Sequence, residues 1–184
     1  MTKTLNSIII KYNSGILKTS NIQLVNETFA DETIKFVDDL KKRNSFQHAC
    51  FKNVRLNNIK FIEINFFSSY FEKCSIENCT FNLTDIHESE WENCIFKNCQ
   101  FFKCNLSKID ATETLFENCE FIQTEFSNAI LESCHLLNPI LQNIYPGSAV
   151  LIESKVSNSE KVIDIGEDVF LINIIEQIQE LDID

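Results

Sequence analysis

Eight cysteines are the side chains in this sequence with the most obvious chemistry, and three of them stand five residues apart in "WENCIFKNCQFFKCNL", Trp91 to Leu106. Thiolates bind zinc or form disulfides, and either role sets a geometric demand. Zinc sites favour cysteine pairs two to four residues apart on a tight knuckle. Cys94, Cys99 and Cys104 are separated by four residues at each step, the upper end of that range, with bulky Phe96 and Phe101 between them. The three histidines, His48, His87 and His135, lie far apart in the chain. His87 beside Glu88, with Glu90 nearby, is the one grouping that resembles an acid–base site, and it reads as exposed polar residues. The sequence holds no glycine-rich phosphate loop, no Gly-x-Ser-x-Gly and no His-Glu-x-x-His. It therefore yields no catalytic residue, no cofactor-binding residue and no metal ligand, and a non-enzymatic protein is expected.

The cysteine spacing belongs to a longer pattern. From Phe46 to Leu141 every fifth residue is large and apolar in nineteen of twenty cases, Ala111 being the exception. Steps of five smear around a helix and alternate between the faces of a strand, so neither element buries them all. A chain that turns a right angle every five residues does. Four sides close a coil of twenty residues, and coils stack by parallel main-chain pairing at ~4.8 Å. The residue two before each centre is mostly small and should also point inward. Seven of the eight cysteines occupy that register. The residue two after each centre should sit at a corner, where positive φ is needed. Nine of these twenty are Asn, which tolerates that region. Stacked cysteines come within disulfide range at this spacing, but parallel Cβ directions suit a bridge poorly. Reduced packing thiols are the expected state.

With twenty consecutive units over residues 44 to 143, the sequence resembles the pentapeptide-repeat family. That resemblance implies an all-β solenoid, a right-handed quadrilateral β-helix of about five coils. The "ENCxF" style at Glu77–Phe81, Glu92–Phe96 and Glu117–Phe121 is similar to the quinolone-resistance members, which mimic DNA and bind DNA gyrase. The resemblance accordingly implies a cytoplasmic DNA mimic whose partner is a type II topoisomerase, DNA gyrase or topoisomerase IV, with drug or toxin resistance as the outcome.

Charge bears on the same question. The formal net charge is −11. Residues 109 to 184 carry 2 basic and 15 acidic side chains, against 14 and 12 in residues 1 to 108. Such a balance repels nucleic acid and attracts basic protein surfaces. On the side centred on Phe51, Phe71, Trp91, Ala111 and Leu131, the expected outward residues include Glu72, Glu90, Glu92, Asp110, Glu113 and Glu132. This is the candidate acidic partner-binding face, with Lys52, Arg55 and Lys73 confined to its first coils. Another side presents Ile62, Phe102 and Ile122, and the preceding one Ile95, Leu115 and Leu137. An apolar contact stripe of that kind supports the alternative function, a general interaction scaffold unrelated to topoisomerases.

Both solenoid ends need covers. Residues 1–43 are expected to cap the N-terminus, with strands or an irregular coil in "SIIIKYNSGILK" and a short helix over Asp31 to Asn44. The register continues through Leu151 and Val156, extending the solenoid irregularly to about residue 157. Residues 158–184 form an acidic tail with an amphipathic helix carrying Phe170, Leu171, Ile174, Ile175 and Ile178. That helix either caps the last coil or joins a homodimer, which the resemblance favours. No run of apolar residues is long enough to span a membrane, and no export signal is apparent.

Overall fold

A computed structural model describes residues 4–13, 22–35, 46–159 and 161–179. On three sides of the coil its five-residue units form three-residue strands whose central side chain points inward, as in Glu90–Glu92, where exposed carboxylates flank buried Trp91. Four units make one coil with four faces. The first face stacks seven parallel strands from Gln23–Val25 to Val150–Ile152. The second runs from Thr28–Ala30 to Lys155–Ser157, and the third from Thr33–Lys35 to Ile140–Gln142. On the fourth, single bridges link Asn65, Asp85, Asn105, Glu125 and Tyr145. Side chains turn that face tightly: the Phe67 N–H donates to Asn65 Oδ1 at 2.7 Å and the Ser107 N–H to Asn105 Oδ1 at 3.1 Å.

The corners behave as the spacing demands. All twenty positions from His48 to Asn143 in steps of five have positive φ, between 49° and 59°, and none is glycine. On the corner after the second face asparagines also bond to one another. Asn98 donates to Asn78 at 3.2 Å, Asn118 to Asn98 at 3.3 Å and Asn138 to Asn118 at 3.0 Å. After Asn143 the next corner moves one residue, so that Gly147, following Pro146, takes the positive φ, 51°, before Glu153 resumes the register at 45°. A Cβ at Gly147 would collide with Ser127 below it.

Inside, the centres stack as columns. On the third face Phe61, Phe81, Phe101 and Phe121 lie 5.0, 4.8 and 4.9 Å apart between ring centroids, with interplanar angles of 17°, 3° and 8°. Ala111 is explained by its neighbour: the Trp91 indole leans into the next coil, 5.9 Å from Phe116, and takes the room that a larger residue would fill. The small inward residues have a second task. Many of the cysteines, serines and threonines among them aim a donor at the carbonyl of a centre one coil below. Cys99 Sγ bonds to the Ile76 oxygen at 3.2 Å and Cys104 Sγ to that of Phe81 at 3.2 Å. Ser89, Thr124 and Ser154 do the same at 2.9, 3.0 and 2.9 Å.

The N-terminal end corrects the sequence reading. Leu24, Phe29 and Ile34 are buried centres of a further partial coil. They pair with Phe51, Leu56 and Phe61, an offset of 27 residues instead of 20. Seven extra residues between Lys35 and Phe46 displace this coil from the main register, so counting back from Phe46 steps over it. The helix expected over Asp31 to Asn44 does not start there. Asp31 is a corner at φ 58° and Thr33–Lys35 is a strand, while residues 36–45 lie outside the described residues. The expected strands in Ser7 to Lys18 are also replaced, within the described part, by helix α1, Leu5–Asn13. Leu5, Ile8 and Ile9, spaced for one helical face, are buried over the open end of the coil. Thr4 and Ser7 form a reciprocal cap, the Ser7 N–H donating to Thr4 Oγ1 at 3.0 Å and the Thr4 N–H to Ser7 Oγ at 3.3 Å. The Glu32 carboxylate accepts the Leu5 and Asn6 N–H groups at 2.7 and 2.9 Å, an acid at a helix N-terminus.

At the other end the chain reverses. Val162–Asp164 pairs antiparallel with Lys155–Ser157, and Val169–Phe170 with Val150–Ile152. Helix α2, Leu171–Gln179, then lies over the last coil with Leu171, Ile174 and Ile175 buried and Ile178 partly so. These residues serve as a cap within the chain. Phe170 precedes the helix in a strand and is exposed. Among the described residues no helix is long and apolar enough to cross a membrane.

Phe101 lies mid-column between two stacked rings and is fully buried. Replacing it with Ala is expected to lower the unfolding free energy by ~3–5 kcal/mol, measured by urea denaturation.

Candidate protein-binding face

The first face carries five residues of the expected acidic set in two outward columns, and the sixth, Glu113, at its corner. Strand register places Glu90 beside Asp110 in one column. The other holds Glu72 beside Glu92, then Thr112 and Glu132. Glu113 occupies the corner after Asp110–Thr112, at φ 50°. Glu90, Glu92, Asp110, Glu113 and Glu132 are exposed, and Glu72 is half-buried. The middle of the face is a shallow groove of about 200 Å³ lined by Tyr70, Glu90, Glu92, Asp110, Thr112 and Glu113.

Three contacts that spacing alone does not reveal divide this set. Lys52 Nζ meets Glu72 at 2.7 Å and Lys73 Nζ approaches it at 3.5 Å. The Lys52 hydrogen bond holds the Glu72 carboxyl below its ordinary range. Glu72 is thus already neutralised. The Tyr70 hydroxyl donates to Glu92 at 2.6 Å, a bond that pushes the phenol's pKa up and fixes this carboxylate against the sheet. The other faces pair their acids more evenly: Lys97 meets Glu117 at 2.8 Å, Lys108 meets Glu88 at 3.0 Å, and Gln100 donates to Glu120 at 2.9 Å.

The apolar stripe is less continuous than expected. Residues in one column repeat every coil, so Asn82 falls between Ile62 and Phe102. Phe102 and Ile122 are direct neighbours, both half-buried, with Lys103 Nζ 5.1 Å from the Phe102 ring centre. On the preceding face Ile95 and Leu115 are adjacent, whereas Leu137 lies in the other column beside Glu117. The first face carries an apolar row that the sequence reading missed. Ile130, Val150 and Phe170 continue the column of Glu90 and Asp110. Ile130 and Val150 could have been found from their twenty-residue spacing. Phe170 joins them through the chain reversal, which breaks the period.

The histidines do not converge. His87 Nδ1 lies 2.6 Å from Asp85 on the fourth face, and its ring is 4.5 Å from Phe67. His135 on the second face contacts Ser157 Oγ at 2.8 Å, with its pKa lowered by burial. Among the described residues no group of three or more His, Cys, Asp or Glu side chains could hold a metal ion. All eight cysteines are free thiols, seven of them buried. Burial pushes the Cys104 and Cys134 thiols up to about 12. Thiolate, the reactive form, is scarce at such sites near neutral pH.

The sequence model described as Pentapeptide repeats matches residues 99–136, in 8 copies. The solenoid is built of pentapeptide repeats. No curated protein matches the chain. Solved structures that match include trypsin-treated QnrB1, a plasmid-mediated fluoroquinolone resistance protein, at 14% identity over 68% of this chain and 89% of that one, with a TM-score of 0.29. HetL, a pentapeptide repeat protein involved in heterocyst differentiation regulation in the cyanobacterium Nostoc sp. strain PCC 7120, matches at 8% identity over 83% of this chain and 97% of its own, TM-score 0.29. Rfr23, a pentapeptide repeat protein from the cyanobacterium Cyanothece 51142, matches at 13% identity over 82% and 96%, TM-score 0.28.

For this pentapeptide-repeat solenoid the thiol geometry has a measurable consequence. In the folded protein at about pH 8 the seven buried cysteines should not react with a disulfide reagent, leaving at most the half-buried Cys50. In denaturant all eight should react, as counted by absorbance.

Proposed function

We propose that this protein is a non-enzymatic binding module whose first face engages a basic surface of another protein by imitating DNA, with a type II topoisomerase as the specific partner. Drug or toxin resistance would follow from that contact, in the cytoplasm and without direct binding of nucleic acid or membrane. The observation that carries this reading is charge density. Six carboxylates, less the two lysines that contact Glu72, leave a net four charges across four adjacent strands. Stacked strands repeat at ~4.8 Å, so the face presents about one net charge per strand, one per ~4.8 Å. One strand of B-DNA presents one per ~3.4 Å. The face therefore approaches a single phosphate backbone in charge spacing, at about 1.4 times its interval. A site built to grip phosphates would meet carboxylates at a similar interval. The choice of partner follows the resemblance of the repeats to the quinolone-resistance members.

A second reading, a scaffold unrelated to topoisomerases, draws on the adjacent Phe102 and Ile122 on the third face. The buried state of Leu171, Ile174 and Ile175 leaves helix α2 little apolar surface to contribute to it.

A DNA gyrase supercoiling assay with and without a quinolone tests the leading reading. The wild-type protein should alter gyrase activity or its drug sensitivity, an effect weakened by salt. Glu90→Lys combined with Asp110→Lys should abolish it, since both positions are exposed and the change reverses the local field. No effect of the wild-type protein at stoichiometric excess removes gyrase as partner. Binding that ignores salt and the double substitution, yet is lost in Phe102→Ser, supports the scaffold.

A further inference from the structure

We propose that the first face docks an amphipathic α-helix of the partner protein, lying along the solenoid axis. Its cationic side chains would sit over Glu90 and Asp110, and its apolar side chains over Ile130, Val150 and Phe170. The proposal rests on the acidic-face reading above and narrows the partner's chemistry.

The argument starts from one continuous outward column. Glu90 pairs with Asp110, Asp110 with Ile130, and Ile130 with Val150. The antiparallel closing strand sets Phe170 opposite Val150, on the same side of the sheet. Ile130 is 40% and Phe170 53% exposed. The neighbouring column changes in the same direction, from Glu92 through Thr112 and Glu132 to Ile152. Single exposed apolar residues are ordinary on a protein surface, but a contiguous set is not. Here the set continues directly from the unpaired acids.

Charge and shape together select the occupant. A phosphate backbone is charged along its whole length, so imitation of DNA gives no reason for the apolar half. A partner that uses both halves must be cationic at one end and apolar at the other. Each face is one three-residue strand wide between corners, which suits a single helix of ~10–12 Å diameter. The column from Tyr70 to Phe170 spans five strand spacings, ~24 Å, the length of about 16 helical residues. Apolar contacts of such a helix resist salt while its cationic contacts do not, so the two halves are separable by experiment.

Fluorescence anisotropy with synthetic helical peptides of about 16 residues provides the test. One peptide carries arginines at one end and leucines at the other on a single helical face. One control has the same composition scrambled, and a second has arginine along the whole face. At about 0.15 M salt the patterned peptide should bind at least about tenfold tighter than either control. Ile130→Ser with Phe170→Ser should erase that advantage. Glu90→Gln with Asp110→Asn should weaken binding and flatten its salt dependence. If Phe170→Ser loosens the closing strand in thermal melts, Ile130→Lys replaces the pair. An all-arginine peptide that binds as tightly as the patterned one overturns the helix proposal and leaves the acidic face standing. Patterned binding that ignores salt and the carboxylate substitutions sinks the acidic face instead. A molecular mass that doubles with concentration, and reverts in Phe170→Ser, means that a second copy covers the apolar half and also overturns the proposal.

Discussion

A right-angle turn every five residues is the constraint from which the rest of this molecule follows. Each turn requires a residue at positive φ, and among the described residues 23 that are not glycine accept it. Left-handed backbone costs on the order of 1 kcal/mol for an ordinary L-residue. The cost is tolerated because a corner, once made, aims the next centre inward and aligns its strand with those above and below. Asparagine recurs at corners for a local reason, since its side chain bonds readily to nearby main chain or to the next asparagine. Leu83 and Lys103 hold the same geometry without that help, at φ 53° and 52°. Stacking, not the individual residue, enforces the turn.

The same constraint explains why the thiols are inert. A square interior filled by rings leaves small sites beside each centre, and the carbonyl of the centre below needs a donor there. Cysteine, serine and threonine all meet this need, as Cys104, Ser89 and Thr124 show by bonding to Phe81, Phe66 and Phe101 in turn. Their interchange along the chain marks a packing role. Chemistry is displaced to the outside, where side chains are free of the period and can vary from one face to the next.

How much could be read in advance depends on whether a feature follows the period. The coils between Phe46 and Leu141 were legible because each centre, small neighbour and corner confirms the others. Leu24, Phe29 and Ile34 keep the same local step, but seven extra residues shift their phase, so they vanish from a count begun at Phe46. Helix α1 was hidden because "SIIIKY" is apolar enough for either element, and its choice is set by Glu32 and the open coil end, distant in sequence. On the candidate face the outward direction of Glu72, Glu90, Glu92, Asp110 and Glu132 is legible from spacing. Their inequality is not, because Lys52 and Tyr70 act across coils on Glu72 and Glu92. Phe170 was assigned to the helix, and its place on the face depends on a reversal that no periodicity announces.

That reversal has a further consequence. A stack of identical parallel coils is a crystal in one dimension: its top edge offers the same donors and acceptors that its bottom edge received, and nothing in the repeat says where growth should end. By turning the chain back on itself, Val162–Asp164 and Val169–Phe170 change the pattern presented by two of the faces at that end. The next coil in line, from this chain or another, no longer finds its own template there. The closing strands act as a growth poison made from the growing material, and they fix the length of the rod.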